Sequence, residues 1–154
     1  AKKGRKNKQR QHYSGKKKRH TLKTQLIISD ENEIIATAFG TGRTHDFRLF
    51  RESVIHIAPE TMLLADSGYQ GLQKLHTCTT IPKKATKKHP LTKADKVYNH
   101  DHSSRRIFVE HTIRRVKVFR IIKETYRNRR RRFGLRFNLI AAVVNMEWRR
   151  NHWA

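Results

Sequence analysis

One cysteine, Cys78, is all that this 154-residue chain has, so an internal disulfide framework and a cysteine zinc cluster are both excluded. That scarcity agrees with a reducing, cytosolic setting. Long apolar runs are also missing. The longest, LIAAVV at residues 139–144, is far too short to cross a membrane. No apolar segment follows the basic N-terminus, so no secretory signal is visible. Negative charge is the third shortage. Twelve Asp and Glu stand against 36 Lys and Arg, a formal net charge of +24. A domain this basic attracts polyanions, and nucleic acid is the partner the charge points to. An anionic membrane surface fits less well, because the basic residues do not gather on one clean amphipathic helix.

Residues 1–20, AKKGRKNKQRQHYSGKKKRH, have no hydrophobic periodicity and read as a basic arm. Lys16, Lys17, Lys18 and Arg19 would contact phosphate there, with Tyr13 available to stack on a base. From Thr21 the composition shifts. TLKTQLIIS and EIIATAF flank Asp30-Glu31-Asn32 and predict a β-hairpin, with Leu22, Thr24, Leu26 and Ile28 on one face. A helix of about ten residues follows, capped by Thr44 or Asp46, with Phe47, Phe50 and Val54 inward.

The run TMLLADSGYQG at residues 61–71 reads as a strand buried on both faces, ending at Asp66, with a short helix near 69–76 behind it. A carboxylate at the end of such a strand can hold a metal, and it can equally be a helix N-cap. The loop PKKATKKHPL presents Lys83, Lys84, Lys87 and Lys88 between two prolines. Thr92 and Asp95 have capping-box spacing and open a helix expected to pause near Ser103-Ser104. Its continuation, residues 104–122, carries Val109, Ile113 and Val116 on one stripe, widened by Phe108, Thr112 and Phe119. Glu110 falls on the opposite flank with Arg106, Arg114 and Lys117. It is either a surface partner of those cations or a carboxylate ringed by phosphate-binding groups. After the basic block RNRRRR, the stretch FGLRFNLIAAVVNMEW predicts an apolar C-terminal helix, with Leu135, Leu139, Val143 and Met146 on one side.

The blocks YSGKKKRHTLKTQLII, GRTHDFRLFRES, LLADSGYQG, IPKK, NHDHSSRRIFVEHTIRRVKVFRI and YRNRRRRFGLRFNLIAAVVN resemble consecutive blocks of bacterial insertion-sequence transposases. The resemblance is to the insertion sequence five family, whose DDE superfamily endonuclease domain is shared with harbinger-type elements. It runs from about Gln11 to Asn145. It implies an α/β, RNase H-like catalytic core at residues 21–154, including the C-terminal helix, behind the basic arm at 1–20. It also implies a metal-holding triad of two aspartates and a glutamate. Asp66 matches the second aspartate, Glu110 the glutamate, and Asp46 an accessory feature. The family's first aspartate lies on a strand upstream of YSGKKKRH, and no acidic residue or strand pattern precedes residue 11 here. The core is therefore expected to lack its first strand, as a decayed remnant or as the product of a second reading frame joined by frameshifting.

The implied cofactor is Mg2+ or Mn2+, because hard carboxylate oxygens suit it better than His or Cys. The implied partner is double-stranded DNA, at element ends and target, engaged by a homo-oligomer in the bacterial cytoplasm at the nucleoid. The competing reading is a non-catalytic basic nucleic-acid-binding protein or an inactive transposase remnant. A zinc protein using the ten histidines is poorly supported, since His100 and His102 lack a helical ligand spacing.

Overall fold

The computed structural model describes residues 13–14, 19–87, 89–124 and 132–152, of mixed α/β structure. Its two compact units are Ala1–Ile55 with Tyr126–Ala154, and His56–Thr125. Lys16, Lys17, Lys18, Lys88 and most of the RNRRRR block lie outside the described residues, as do the side chains of Tyr13 and Arg19.

In the first unit, β1 (Tyr13–Ser14) and β2 (Arg19–His20) pair antiparallel within the stretch read as an arm. The expected hairpin follows as β3 (Leu22–Ile28) and β4 (Ile34–Thr41). Its turn uses Asn32 at φ 63, a left-handed conformation that Asn tolerates. Ile27 stands opposite Ala36 and Ile28 opposite Ile34, so Ile35 is the extra residue of a bulge and lies exposed.

Helix α1 (Asp46–Glu52) is shorter than expected and is capped by neither Thr44 nor Asp46. His45 holds the N-cap position without a side-chain bond, and Thr44 hydrogen-bonds Thr41 instead at 3.0 Å. Leu49 is the buried residue, and Val54 lies beyond the helix, 75% exposed at φ 52. The backbone closes early because Ser53 donates its N–H to Phe50.

Helix α5 (Phe133–His152) lies along β4. The Phe39 ring stands edge-on to Phe133 and Phe137, at 5.6 and 5.5 Å. A Cβ on Gly134 would come within 3.1 Å of that ring, which explains glycine in a helix here. Asn145 clamps both backbone groups of Ile34, at 3.0 and 2.9 Å, and Arg149 grips Glu33 through two 2.6 Å bonds.

The buried stripe of α5 is Phe133, Phe137, Ala141 and Val144, and the expected stripe of Leu135, Leu139, Val143 and Met146 is exposed. Both have helical spacing. The phenylalanines win because they meet Phe39, and the Asn145 clamp locks that rotation. Residues opposed across a hairpin share a face. The Phe39 face meets α5, while Gly40 on the other face approaches Leu49 of α1. With helices on both sides, the apolar face expected of β3 is only half-buried, and the buried residue of the strand is Gln25 on its other face, opposite Ala38.

In the second unit, β5 (Leu63–Leu64) pairs parallel with β6 (Thr79–Thr80). The expected strand over 61–65 is thus reduced to two half-buried residues, with Met62 exposed and Ala65 buried. Among the described residues β5 has one neighbouring strand, and burial of both faces needs a wider, covered sheet. The expected short helix is two 3₁₀ turns, Ser67–Tyr69 and Leu72–Lys74, separated by Gly71 at φ 96. Helices α2 (Lys93–Arg105), α3 (Ile107–Lys117) and α4 (Arg120–Lys123) complete the unit. The Thr92–Asp95 capping box forms as expected. The pause falls at Arg106 rather than at Ser103-Ser104, whose hydroxyls bond back to Asn99 and His100 within α2. No helix among the described residues is long and apolar enough to cross a membrane.

Candidate active site

Asp66 is held in place from the far side of the unit. Helix α2 grips the chain around β6: His102 Nε2 lies 3.2 Å from the Thr80 carbonyl oxygen, and Asn99 accepts from the Lys83 N–H and donates to the Lys83 carbonyl. Strand β6 then holds β5, with Leu63 N–H on Cys78 at 2.8 Å and Ala65 N–H on Thr80 at 3.0 Å. Asp66 emerges at the end of β5 and caps the first 3₁₀ turn. Its Oδ1 accepts from Ser67 N–H and its carbonyl accepts from Tyr69. The N-cap role and an available carboxylate coexist, because only one oxygen is used. Oδ2 has no partner among the described residues.

Arg106 Nη1 stands 3.7 Å from Asp66 Oδ1. The arginine side chain is 22% exposed and the aspartate 57%, so the pair sits at the surface with its cationic half partly covered. Glu110 follows four residues later on α3. At that spacing side chains are neighbours, about 5–6 Å apart at Cβ. Arg106 therefore borders both carboxylates. Glu110 is exposed and carries no ion pair or hydrogen bond among the described residues.

The rotation of α3 is set by its other side. Thr112 is fully buried, Val116 is 2% exposed, and Val109 and Ile113 are half-buried. Phe108, expected to widen that stripe, is exposed instead. This anchoring turns Glu110, Arg114 and Lys117 outward on the stripe that Arg106 begins.

The other candidates are dispersed. Asp46 belongs to the first unit, where it pairs with Lys23 at 3.0 Å. Lys83 is engaged by Asp95 at 2.6 Å, and its ammonium lies 5.7 Å from the centre of the Tyr98 ring. That bond with Lys83, then the bonds from Thr92, hold the Asp95 carboxyl down at about 2. Lys84 and Lys87 are exposed. Of the two neighbouring histidines, His102 is buried and structural and His100 is exposed. The anchoring role of Asn99 and His102 went unread in the sequence. Only their spacing on one side of α2 pointed to it. No group of three or more His, Cys, Asp or Glu comes together among the described residues.

The sequence profile of the DDE superfamily endonuclease matches residues 2–145. The chain belongs to this family. The DDE endonuclease chain is also 47% identical over 140 residues to a protein of Microchaete diplosiphon named "Probable transposase for insertion sequence element IS702". The aligned stretch is 90% of this chain and 51% of that relative, so the chain spans about half the length of the curated relative it matches. No solved structure matches it. Membership of the endonuclease family and likeness to an insertion-sequence transposase are as the sequence blocks implied.

Proposed function

We propose that this chain forms the carboxyl-terminal, RNase H-like catalytic part of a transposase of the insertion sequence five family, which cuts and joins double-stranded DNA at the ends of a bacterial insertion sequence. The observation that carries this reading is the Asp66–Arg106–Glu110 arrangement on the second unit, with Arg114 and Lys117 beyond it on α3. Asp66 and Glu110 are the catalytic carboxylates.

Two carboxylates with free oxygens are the hard donors that Mg2+ or Mn2+ takes. They fit as part of a site. Among the described residues no third carboxylate or histidine joins them, and the remaining ligand would come from the part of the enzyme outside this chain. When bound, the ions supply Lewis-acid stabilisation of charge at the phosphorus under attack. The protein's task is to hold the two carboxylates open to solvent and to keep DNA against them. Arg106 orients Asp66, and Arg114 and Lys117 neutralise the flanking phosphates. Water is the first nucleophile, and the 3′-hydroxyl it releases is the second. No covalent protein intermediate is required. Asp46 is left as an accessory residue of the first unit, and the basic arm with Lys84, Lys87 and Lys88 adds non-specific phosphate contacts. The working assembly is a homo-oligomer on paired ends at the nucleoid.

A longer protein carrying this chain, incubated with supercoiled plasmid and Mg2+, tests the assignment. Asp66→Asn and Glu110→Gln should each abolish nicking and leave DNA binding intact. Unchanged nicking in either variant contradicts it. The +24 charge also supports a second reading, in which this chain by itself binds DNA without cutting it.

A further inference from the structure

Phe108 stands on α3 just before Glu110 and is 52% exposed, and Ile107 beside it is 50% exposed. Thr112 and Val116 fill the buried side of the helix, so both residues face out of the unit. Among the described residues the exposed aromatics are Phe108 and Tyr98. Tyr98 is already engaged, by the Ile81 carbonyl at 3.4 Å from its hydroxyl and by the Lys83 ammonium over its ring. Nothing stacks on Phe108 among the described residues. Its surroundings in the sequence are cationic, with Arg105 and Arg106 before the pair and Arg114 and Lys117 after it. We propose that the Phe108 ring is a stacking platform for an unpaired DNA base whose own phosphate lies beside Glu110.

The helix geometry supports this division of labour. At 3.6 residues per turn, the outer half of α3 runs from Glu110 and Arg114 through Ile107 to Phe108, which lies about 160° round from Glu110. A base projects from its phosphate by the width of a sugar. A strand crossing α3 with its phosphate at Glu110 and Arg114 therefore lays its sugar over Ile107 and its base on Phe108. Inside a duplex both faces of a base are covered by its neighbours. The ring can engage only a base that is unpaired or at a strand end.

Charge selects DNA over a protein as the occupant. Nucleic acid brings a phosphate with every base, which matches a cationic rim around an exposed ring. Cations on the backbone beside an aromatic on the base are the combination that single-stranded nucleic acid takes. Stacking there would offset part of the cost of separating the strands where one is drawn to the carboxylates. The inference rests on the reading of α3 as the face that meets DNA.

Fluorescence anisotropy of this chain with two labelled duplexes tests it. One duplex carries a short unpaired tail, and the other carries the same tail without its bases, so their phosphates are equal in number. The tail with bases should bind about tenfold tighter, the worth of one stacked base. Phe108→Ala and Phe108→Leu should each bring that ratio to about one, with the circular dichroism spectrum unchanged, and Phe108→Trp should keep it. A ratio of about one in the native chain overturns the inference. So does a ratio that survives Phe108→Leu, which keeps apolar bulk and removes the ring. Either result leaves the transposase reading standing, since nicking through Asp66 and Glu110 is measured separately. A native chain that binds neither duplex overturns the inference together with the DNA reading of α3.

Discussion

Arg106 Nη1 lies 3.7 Å from Asp66 Oδ1, one helical turn before Glu110. The contact links a carboxylate at the end of β5 to a helix reached only forty residues later. It depends on the break at Arg106, where α2 ends and α3 begins. A guanidinium in this place keeps Asp66 oriented without removing its second oxygen from reach. Arg106→Ala should therefore lower metal-dependent nicking about 10- to 100-fold, as loss of a group orienting a metal ligand does. Stability should change by less than about 1 kcal/mol, because the pair is at the surface. Arg106→Lys should not restore full activity, since an ammonium lacks the planar fork. Nicking rates and thermal melts of the three proteins check this.

The buried face of α5 can be tested against the exposed one. Phe137 is 3% exposed and packs edge-on to Phe39, whereas Leu139 is 61% exposed. Phe137→Ala should cost about 3–5 kcal/mol. Leu139→Ala should stay within about 0.5 kcal/mol when measured at low protein concentration. Urea titrations of both variants decide which stripe is the core.

The α2 N-terminus should respond to acid. Lys83 and Thr92 hold Asp95 down at about 2, below its ordinary 3.8. A depressed carboxylate contributes stability above the unfolded value, and that contribution is lost as pH falls through the folded one. The difference in stability between the native chain and Asp95→Asn should therefore be constant above pH 4 and vanish between about pH 4 and 2. Denaturant titrations across that window check it. A difference that persists below pH 2 excludes the Lys83–Asp95 bond as its source.

Binding to duplex DNA should be steeply salt-dependent. With six to ten phosphate contacts, affinity should fall by about 10³–10⁵ between 50 and 200 mM salt. Arg114→Ala and Lys117→Ala should each reduce the salt slope by about one. Fluorescence anisotropy at several salt concentrations reads both.

What the sequence disclosed followed how local each feature is. The hairpin was legible because Asp30-Glu31-Asn32 separates two β-branched runs, and Asn32 takes the left-handed turn position. The capping box was legible because Thr92 and Asp95 bond each other across three residues. The rotation of α5 was not, because two apolar stripes share the helical period and Phe39, nearly a hundred residues away, chooses between them. The strand at Leu63–Leu64 was read too long, because burial on both faces is set by neighbouring strands rather than by the run itself. Asp66 and Glu110 were singled out by residue type and position. Their common neighbour in space, Arg106, was placed only beside Glu110, since no helical spacing connects it to Asp66.

The most direct measurement is Mn2+ titration of this chain followed by paramagnetic broadening of its backbone amides. Broadening should centre on Ser67–Tyr69 and on the amides around Glu110, and Asp66→Asn combined with Glu110→Gln should abolish it. Broadening that appears elsewhere, or that survives the double substitution, would contradict a metal site on these two carboxylates.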